Sequence, residues 1–110
     1  MTGRRTYISD FDNERRRAFV RSRSQAWFRK ESWTLTWEEF QEFWSTRRLW
    51  DQRGRAVNDL VLTRVDWEGA WSKANCCIIS RGDHLVANAK NRSGQDVHSV
   101  IEKAKKYESL

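Results

Sequence analysis

The sequence predicts an α+β fold in which a small strand–turn–strand–helix (ββα) unit packs with N-terminal helices and a C-terminal helix. Two observations predict it. Apolar side chains recur at helical spacing near both ends of the 110-residue chain, whereas β-forming residues are concentrated in two short segments of its middle. Because the chain has no Pro and no internal repeat, we expect a single domain over 1–110.

The first 50 residues are predicted to form a flexible arm over 1–9 and then basic, Trp-rich helices over 10–50. The carboxylate of Asp10 or Asp12 can cap a first helix of about 12–29. The apolar side of this helix is predicted to consist of Phe11, Ala18, Phe19 and Trp27.

A second helix is predicted to begin after Thr36, because Thr36 and Glu39 have the spacing of a capping box. Trp37, Phe40 and Trp44 then recur on one helical face. This aromatic stripe favours packing into the core, with a platform for stacked bases as the alternative.

The middle of the chain predicts a β-hairpin followed by a helix. Residues 59–65 and 75–79 are rich in β-forming side chains, and Gly69 lies in the turn-prone segment between them. A short helix of about 81–88 follows, so the ββα unit occupies 59–90.

The C-terminal segment 95–108 predicts the last helix, of about 96–108. Its apolar residues have helical spacing and its last turns are basic, which suits the helix dipole. The apolar stripe consists of Val97, Val100, Ile101, Ala104 and Tyr107.

The net charge of +6 is concentrated in the first 30 residues, which carry nine basic and three acidic side chains. Arg outnumbers Lys there by eight to one, and the guanidinium is the better planar donor to phosphate oxygens. The pattern favours binding to a nucleic-acid backbone; an acidic protein surface and a merely solvated helix face are the alternatives. The side chains expected to contact nucleic acid are Arg15, Arg16, Arg21, Arg23, Arg64 and Arg81.

Composition also limits the class of protein. The longest apolar run, Cys76-Cys77-Ile78-Ile79, is too short for a membrane span, and the N-terminus leads into polar residues and not into an apolar signal core. Adjacent cysteines rarely pair with each other, so we expect two small apolar residues of a buried strand. These features predict a cytoplasmic protein, monomeric or dimeric, with no membrane partner.

Residues 60–90 resemble the HNH, or His-Me finger, family, in which a ββα unit holds a metal ion against a phosphate. The resemblance is carried by Leu62-Thr63-Arg64-Val65-Asp66, Gly69, Asn75-Cys76 and the helix bearing His84 and Asn88. It is closest to phage-type members, whose pattern runs Leu-Asp-Arg-Ile-Asp, a Gly-Tyr turn, an Asn-Cys strand and a helix with an Asn. It covers less than a third of the chain.

The resemblance implies roles for three of these residues. Asn75 would hold the loop by hydrogen bonds, and His84 or Asn88 would bind a divalent metal ion such as Mg²⁺. His84 has the better chemistry for this, because a neutral imidazole nitrogen is a good ligand for such an ion.

The first strand departs from the family pattern. Many active members have Asp-His there, as metal ligand and general base, where this chain has Thr63-Arg64. An Arg side chain, with a pKa above about 12, cannot accept a proton at neutral pH. Asp66 is then the remaining carboxylate candidate, and Arg64 a candidate clamp for a phosphate.

The sequence therefore predicts a nucleic-acid-binding protein of HNH-like fold, with DNA as the expected partner. If it cleaves DNA, it is a metal-dependent endonuclease in which His84 and Asp66 are catalytic and Asn88 completes the metal site. The alternative is a phage-encoded protein that acts in the host cytoplasm and inhibits a host enzyme. Its Trp/Arg-rich surface would then be anchored by Trp67 and Trp71.

Overall fold

Helices lie on both faces of a three-stranded antiparallel sheet. The computed structural model describes residues 10–108, so the arm predicted over 1–9 lies outside the described residues. The predicted α+β class, with N-terminal helices and a C-terminal helix, is confirmed. The elements in chain order are α1 Asp10–Phe28, α2 Trp37–Phe43, α3 Arg47–Trp50, β1 Leu60–Arg64, β2 Cys76–Ser80, α4 Arg81–Arg92, α5 Val97–Ala104 and β3 Tyr107–Glu108.

β2 is the central strand and is buried on both faces. It pairs antiparallel with β1 on one side and with β3 on the other. Successive side chains of a strand point to opposite faces. Accordingly, Cys76 and Ile78 belong to one apolar cluster, and Cys77 and Ile79 belong to another. This two-sided burial explains the uninterrupted apolar run in the sequence.

The two clusters place α1, α2 and α3 against one face of the sheet and α4 and α5 against the other. The first cluster is largely aromatic and the second is aliphatic. The first contains Ala18, Phe19, Leu35, Phe40, Phe43, Trp44, Trp50, Leu60, Cys76 and Ile78. The second contains Val65, Cys77, Ile79, Ala87, Val97 and Ile101.

Both cysteines are buried, and neither forms a disulfide within the described residues. Burial raises the pKa of the Cys76 thiol to about 12. The thiol therefore stays protonated near neutral pH, and Cys76 serves as the small apolar strand residue that the sequence predicts.

The predicted capping box determines where α2 begins. The hydroxyl of Thr36 accepts a hydrogen bond from the amide of Glu39 (3.1 Å), and the Glu39 carboxylate accepts one from the amide of Thr36 (3.0 Å). Phe40 is buried, and so is Trp44 just after the helix, which confirms that this aromatic stripe is core.

α5 is shorter than the helix predicted over 96–108. It ends at Ala104, and residues 107–108 pair with β2 instead. The amide of Lys106 donates to the carbonyl of Ile78 (2.8 Å), so strand pairing satisfies backbone groups that a longer helix would have satisfied internally. Apolar spacing alone does not distinguish these two outcomes.

α1, of 19 residues, carries most of its side chains on the surface. Trp27, predicted on its apolar side, is 58% exposed. It follows Phe19 by eight residues, which rotates it about 80° away from the buried face. No helix within residues 10–108 is long and apolar enough to cross a membrane.

Arg15 fastens α1 to the end of α2. Its Nη1 donates to the carbonyl of Trp44 (2.9 Å), its Nη2 pairs with Asp12, and its guanidinium lies 3.9 Å from the ring centroid of Phe11. The side chain is only 7% exposed. Arg15 is therefore not available to contact phosphate as the sequence predicts, because its guanidinium is buried against Phe11, Asp12 and the carbonyl of Trp44.

We expect Arg15→Ala to lower the free energy of unfolding by about 1.5–3 kcal/mol, since the carbonyl of Trp44 loses a charged donor. The measurement is urea denaturation followed by tryptophan fluorescence. The control variant Arg17→Ala removes the same charge from an exposed position of α1 and should change stability by less than about 0.5 kcal/mol. Equal losses in the two variants would contradict this role for Arg15.

Candidate nucleic-acid interface and the ββα site

Asn75 closes the turn between β1 and β2. Its Nδ2 donates to the carbonyls of Asp66 and Ala70 (both 2.9 Å), and its Oδ1 accepts from the amide of Asp66 (3.0 Å). A Cβ at position 69 would lie 2.9 Å from this Nδ2, so Gly69 allows the turn to approach the amide closely. One side chain thus holds both ends of the turn.

Arg64 links the same turn to the segment after α1. Its Nη1 donates to the carbonyl of Gly69 (3.0 Å), and its Nη2 donates to the carboxylate of Glu31 (3.3 Å). The side chain is 11% exposed, and its guanidinium lies over the ring of Trp71. Arg64 is therefore engaged within the fold and is not presented to solvent as a phosphate clamp.

His84 lies in the first turn of α4 against Trp67, with ring centroids 5.7 Å apart. The Nδ1 of His84 and the Nε1 of Trp67 are both buried without a hydrogen-bond partner in the described part of the chain. Burial, followed by the charge of Arg81, lowers the pKa of His84 from its usual 6.5. The imidazole is therefore neutral at pH 7.

Asp66 and Asn88, which are predicted to complete a metal site with His84, differ in their surroundings. Asp66 is exposed, and its Oδ1 already accepts from the amide of Glu68 (3.0 Å). Asn88 is half-buried one turn beyond His84, and the positive charge of Arg81 acts on His84 and disfavours a cation there. Over residues 10–108, no three His, Cys, Asp or Glu side chains are grouped closely enough to hold an ion.

Trp67 and Trp71, expected as anchors for a protein partner, are half-buried. Trp67 packs against the aliphatic cluster beside His84. Trp71 stacks on Trp33 with centroids 5.6 Å apart, and its Nε1 donates to Glu31 (3.0 Å). Both indoles therefore take part in packing within the fold.

The exposed cationic and aromatic side chains lie together on α1. Arg16, Arg17 and Arg21 are exposed, and none of them forms an ion pair with a carboxylate of residues 10–108. Trp27 is 58% and Phe28 88% exposed at the end of the same helix. At 100° per residue, all five side chains fall on one broad face of α1. We call these five residues the basic α1 face.

Arg23 lies beside this face and is half-buried. Its guanidinium lies 5.1 Å from the ring centroids of both Phe19 and Trp27, and its Nε is buried without a partner among the described residues. The guanidinium of Arg23 therefore stabilises the exposed indole of Trp27 by a cation–π contact.

The sequence predicts nucleic-acid contact for Arg16 and Arg21 of this face, but not for Arg17 or for the two aromatic residues. Its helical pattern puts Trp27 on the apolar side of the helix, and Phe28 is not among the predicted residues. The available signal was the position of both residues on the arginine side of the helical projection.

Comparisons of the chain with protein-family models, with curated proteins and with solved structures give no match in any of the three. The resemblance of residues 60–90 to the HNH family therefore stays a prediction from the sequence.

We expect Asn75→Ala to lower the free energy of unfolding by about 2–3 kcal/mol, because three hydrogen bonds of about 1 kcal/mol each are lost. Asn75→Asp keeps an acceptor for the amide of Asp66 but turns a carboxylate oxygen toward the two carbonyls, so its loss should be at least as large as that of Asn75→Ala. Chemical denaturation measures both. As a control, Asn91→Ala at an exposed position of α4 should leave stability nearly unchanged; a similar loss there would count against this role.

The pKa of His84 also predicts how stability depends on pH. Because this pKa is lower in the folded chain than its usual 6.5, the unfolded chain binds the proton more readily. The contribution is fully present above pH 6.5 and is lost as pH falls from there through the folded pKa. We expect His84→Gln to flatten this part of the stability curve, whereas the exposed control His98→Gln should keep it. Identical curves for wild type and His84→Gln would refute the prediction.

Proposed function

We propose that the chain binds nucleic acid through the basic α1 face, with an HNH-like ββα unit as part of the supporting scaffold. The observation that carries the proposal is a single exposed helix face on which guanidinium groups with no carboxylate partner among residues 10–108 adjoin exposed aromatic rings. This face lies within the first 30 residues, where the whole net charge of the protein is found.

The arginines supply attraction to the phosphate backbone. Arg16, Arg17 and Arg21 have no carboxylate of residues 10–108 to compete with a phosphate, and an Arg fork binds phosphate oxygens with two parallel hydrogen bonds. Each phosphate contact releases condensed counterions, so binding by such a face depends steeply on salt.

The aromatic rings favour a partner with accessible bases. Arg23 holds one part of the Trp27 ring, while the rest of that ring and nearly all of Phe28 face solvent. Aromatic rings beside a cationic groove are typical of proteins that bind single-stranded nucleic acid, because unpaired bases stack on them.

Cleavage is not part of the proposal. Over residues 10–108 no three His, Cys, Asp or Glu side chains are grouped closely enough to hold an ion, and Thr63-Arg64 supplies no general base. The ββα unit instead contributes the closed turn held by Asn75 and the two apolar faces on which the helices pack.

We expect a triple variant, Arg16→Ala with Arg17→Ala and Arg21→Ala, to bind DNA more weakly. The slope of log affinity against log salt should fall by about 2–3, since up to three phosphate contacts are lost. Fluorescence anisotropy with a labelled oligonucleotide over a salt series measures this. A matched control removes three exposed positive charges from the other side of the sheet by changing Arg92, Lys103 and Lys106 to Ala.

Three outcomes would count against the proposal: no DNA binding by the wild type, binding that salt does not weaken, or equal losses in the two triple variants. A protein captured from lysate that survives nuclease treatment and requires the α1 face would favour the alternative of a protein partner. Incubation of supercoiled plasmid with Mg²⁺, comparing wild type with His84→Ala, tests cleavage separately. Nicking by the wild type alone would add the endonuclease activity that the resemblance implies.

A further inference from the structure

A cavity of about 360 Å³ lies beside the basic α1 face, between α1, β1 and the loop that follows α3. This volume is at the small end of the range for ligand sites, about 300–1,000 Å³. The cavity combines aromatic walls with a cationic rim. The residues that give it this character are Trp33, Trp44, Trp71, Arg29, Arg53 and Arg55.

The charged side chains that line this cavity are all positive. None of the described residues that line it is Asp or Glu. Arg29 is paired with Glu31, but Arg53 and Arg55 form no ion pair with a carboxylate of residues 10–108. The carboxylate of Asp59, in the same loop, accepts from the amide of Ala56 (2.9 Å).

Arg53 lies against two tryptophan rings, of which Trp44 lines the cavity and Trp50 does not. Its guanidinium lies 3.9 Å from the ring centroid of Trp50 and 5.5 Å from that of Trp44. Desolvation, followed by the positive charge of Arg21, lowers the pKa of Arg53. An anion in the cavity would offset both the desolvation and the repulsion by Arg21, because it would place a negative charge beside the guanidinium of Arg53.

The aromatic wall suits a planar ring. Trp33 and Trp71 stack at 5.6 Å with an angle of 28° between their planes, and both are only half-buried. Because the two rings stack on each other and Arg64 lies over Trp71, a planar base in the cavity would contact their exposed edges in an edge-to-face arrangement. A ligand that satisfies both wall and rim therefore carries a planar base and an anionic group.

We propose that the cavity binds a nucleoside phosphate, with the base against Trp33 and Trp71 and the phosphate between Arg53 and Arg55. A free nucleotide and a nucleotide of a single strand both have this chemistry. Binding of a strand nucleotide rests on the proposed function, because the strand must first bind to the basic α1 face. The cavity shares Gln25 and Arg29 with the surface depression beside Phe28. A strand on the basic α1 face can therefore reach the cavity along a continuous surface.

The experiment titrates the full chain with AMP, adenosine and inorganic phosphate by calorimetry, and with a short single-stranded oligoadenylate and a duplex by anisotropy. AMP should bind at least about tenfold more tightly than adenosine or phosphate alone, because only AMP engages both wall and rim. Arg53→Gln with Arg55→Gln should weaken binding of AMP and of oligoadenylate by about tenfold or more and leave duplex binding unchanged.

Two further variants keep the test decisive. Arg55→Gln changes an exposed side chain and should weaken binding in the same direction even if loss of the Arg53–Trp50 contact disturbs folding. Arg48→Gln removes an exposed charge of α3 that does not line the cavity and should bind like the wild type.

The ligands and variants of this experiment distinguish a free nucleotide from a nucleotide of a bound strand. They also distinguish failure of the cavity inference from failure of the proposed function. Tight AMP binding that the cavity variants abolish supports a free nucleotide. Binding of oligoadenylate alone, abolished by the same variants, supports a nucleotide of a bound strand. The inference is overturned if neither ligand binds, if phosphate alone binds as tightly as AMP, or if the cavity variants bind like the wild type. Duplex binding that depends on the basic α1 face would then still stand, whereas AMP binding without any DNA binding would sustain the cavity and refute the proposed function.

Discussion

The attachment of Trp71 to the segment after α1 joins the helical layer of this protein to its ββα unit. The amide of Trp71 donates to the carbonyl of Ser32 (2.9 Å), and its carbonyl accepts from the amides of Thr34 (2.9 Å) and Leu35 (3.0 Å). The indole adds a fourth bond, to Glu31 (3.0 Å). Because Trp71 ends the turn between β1 and β2, the same four bonds fix that turn and one wall of the cavity. Loosening this attachment would affect both at once.

Glu31 determines which positive charges are left for a ligand. Burial alone would raise its pKa, but hydrogen bonds from Arg29 and Trp71 and the charges of Arg64 and Arg29 more than compensate, so the pKa is lowered. The carboxylate stays ionised near neutral pH and occupies two guanidinium groups. The arginines of the basic α1 face, and Arg53 and Arg55 of the cavity rim, form no ion pair with a carboxylate of residues 10–108, so these two neighbouring surfaces keep positive charges that are available to a ligand.

Local signals in the sequence predicted the elements whose geometry is decided locally. The Thr36–Glu39 capping box and the hairpin around Gly69 need only short-range spacing and turn chemistry, and both are present in the structure. The buried position of Arg15 depends on the carbonyl of Trp44, 29 residues away, which no window of the sequence contains. The end of α5 likewise depends on an edge of β2 that exists only once the sheet has formed. The cavity is a tertiary feature of the same kind, because its rim and walls come from distant segments of the chain.

Residues 60–90, whose sequence resembles the HNH family, and the positive surface are different parts of the molecule. Arg64 of the first strand connects the ββα unit to the segment after α1. Where active family members carry an acid–base pair, this chain has a buried Thr63 and an Arg64 that bonds to Glu31 and Gly69. A guanidinium at this place cannot bind a cation or activate water, but it does tie the turn to the helical layer. Arg64 also lies over the ring of Trp71, which lines the cavity. Under the two proposals, Arg64 thus helps to hold the wall of the cavity in which the nucleotide binds.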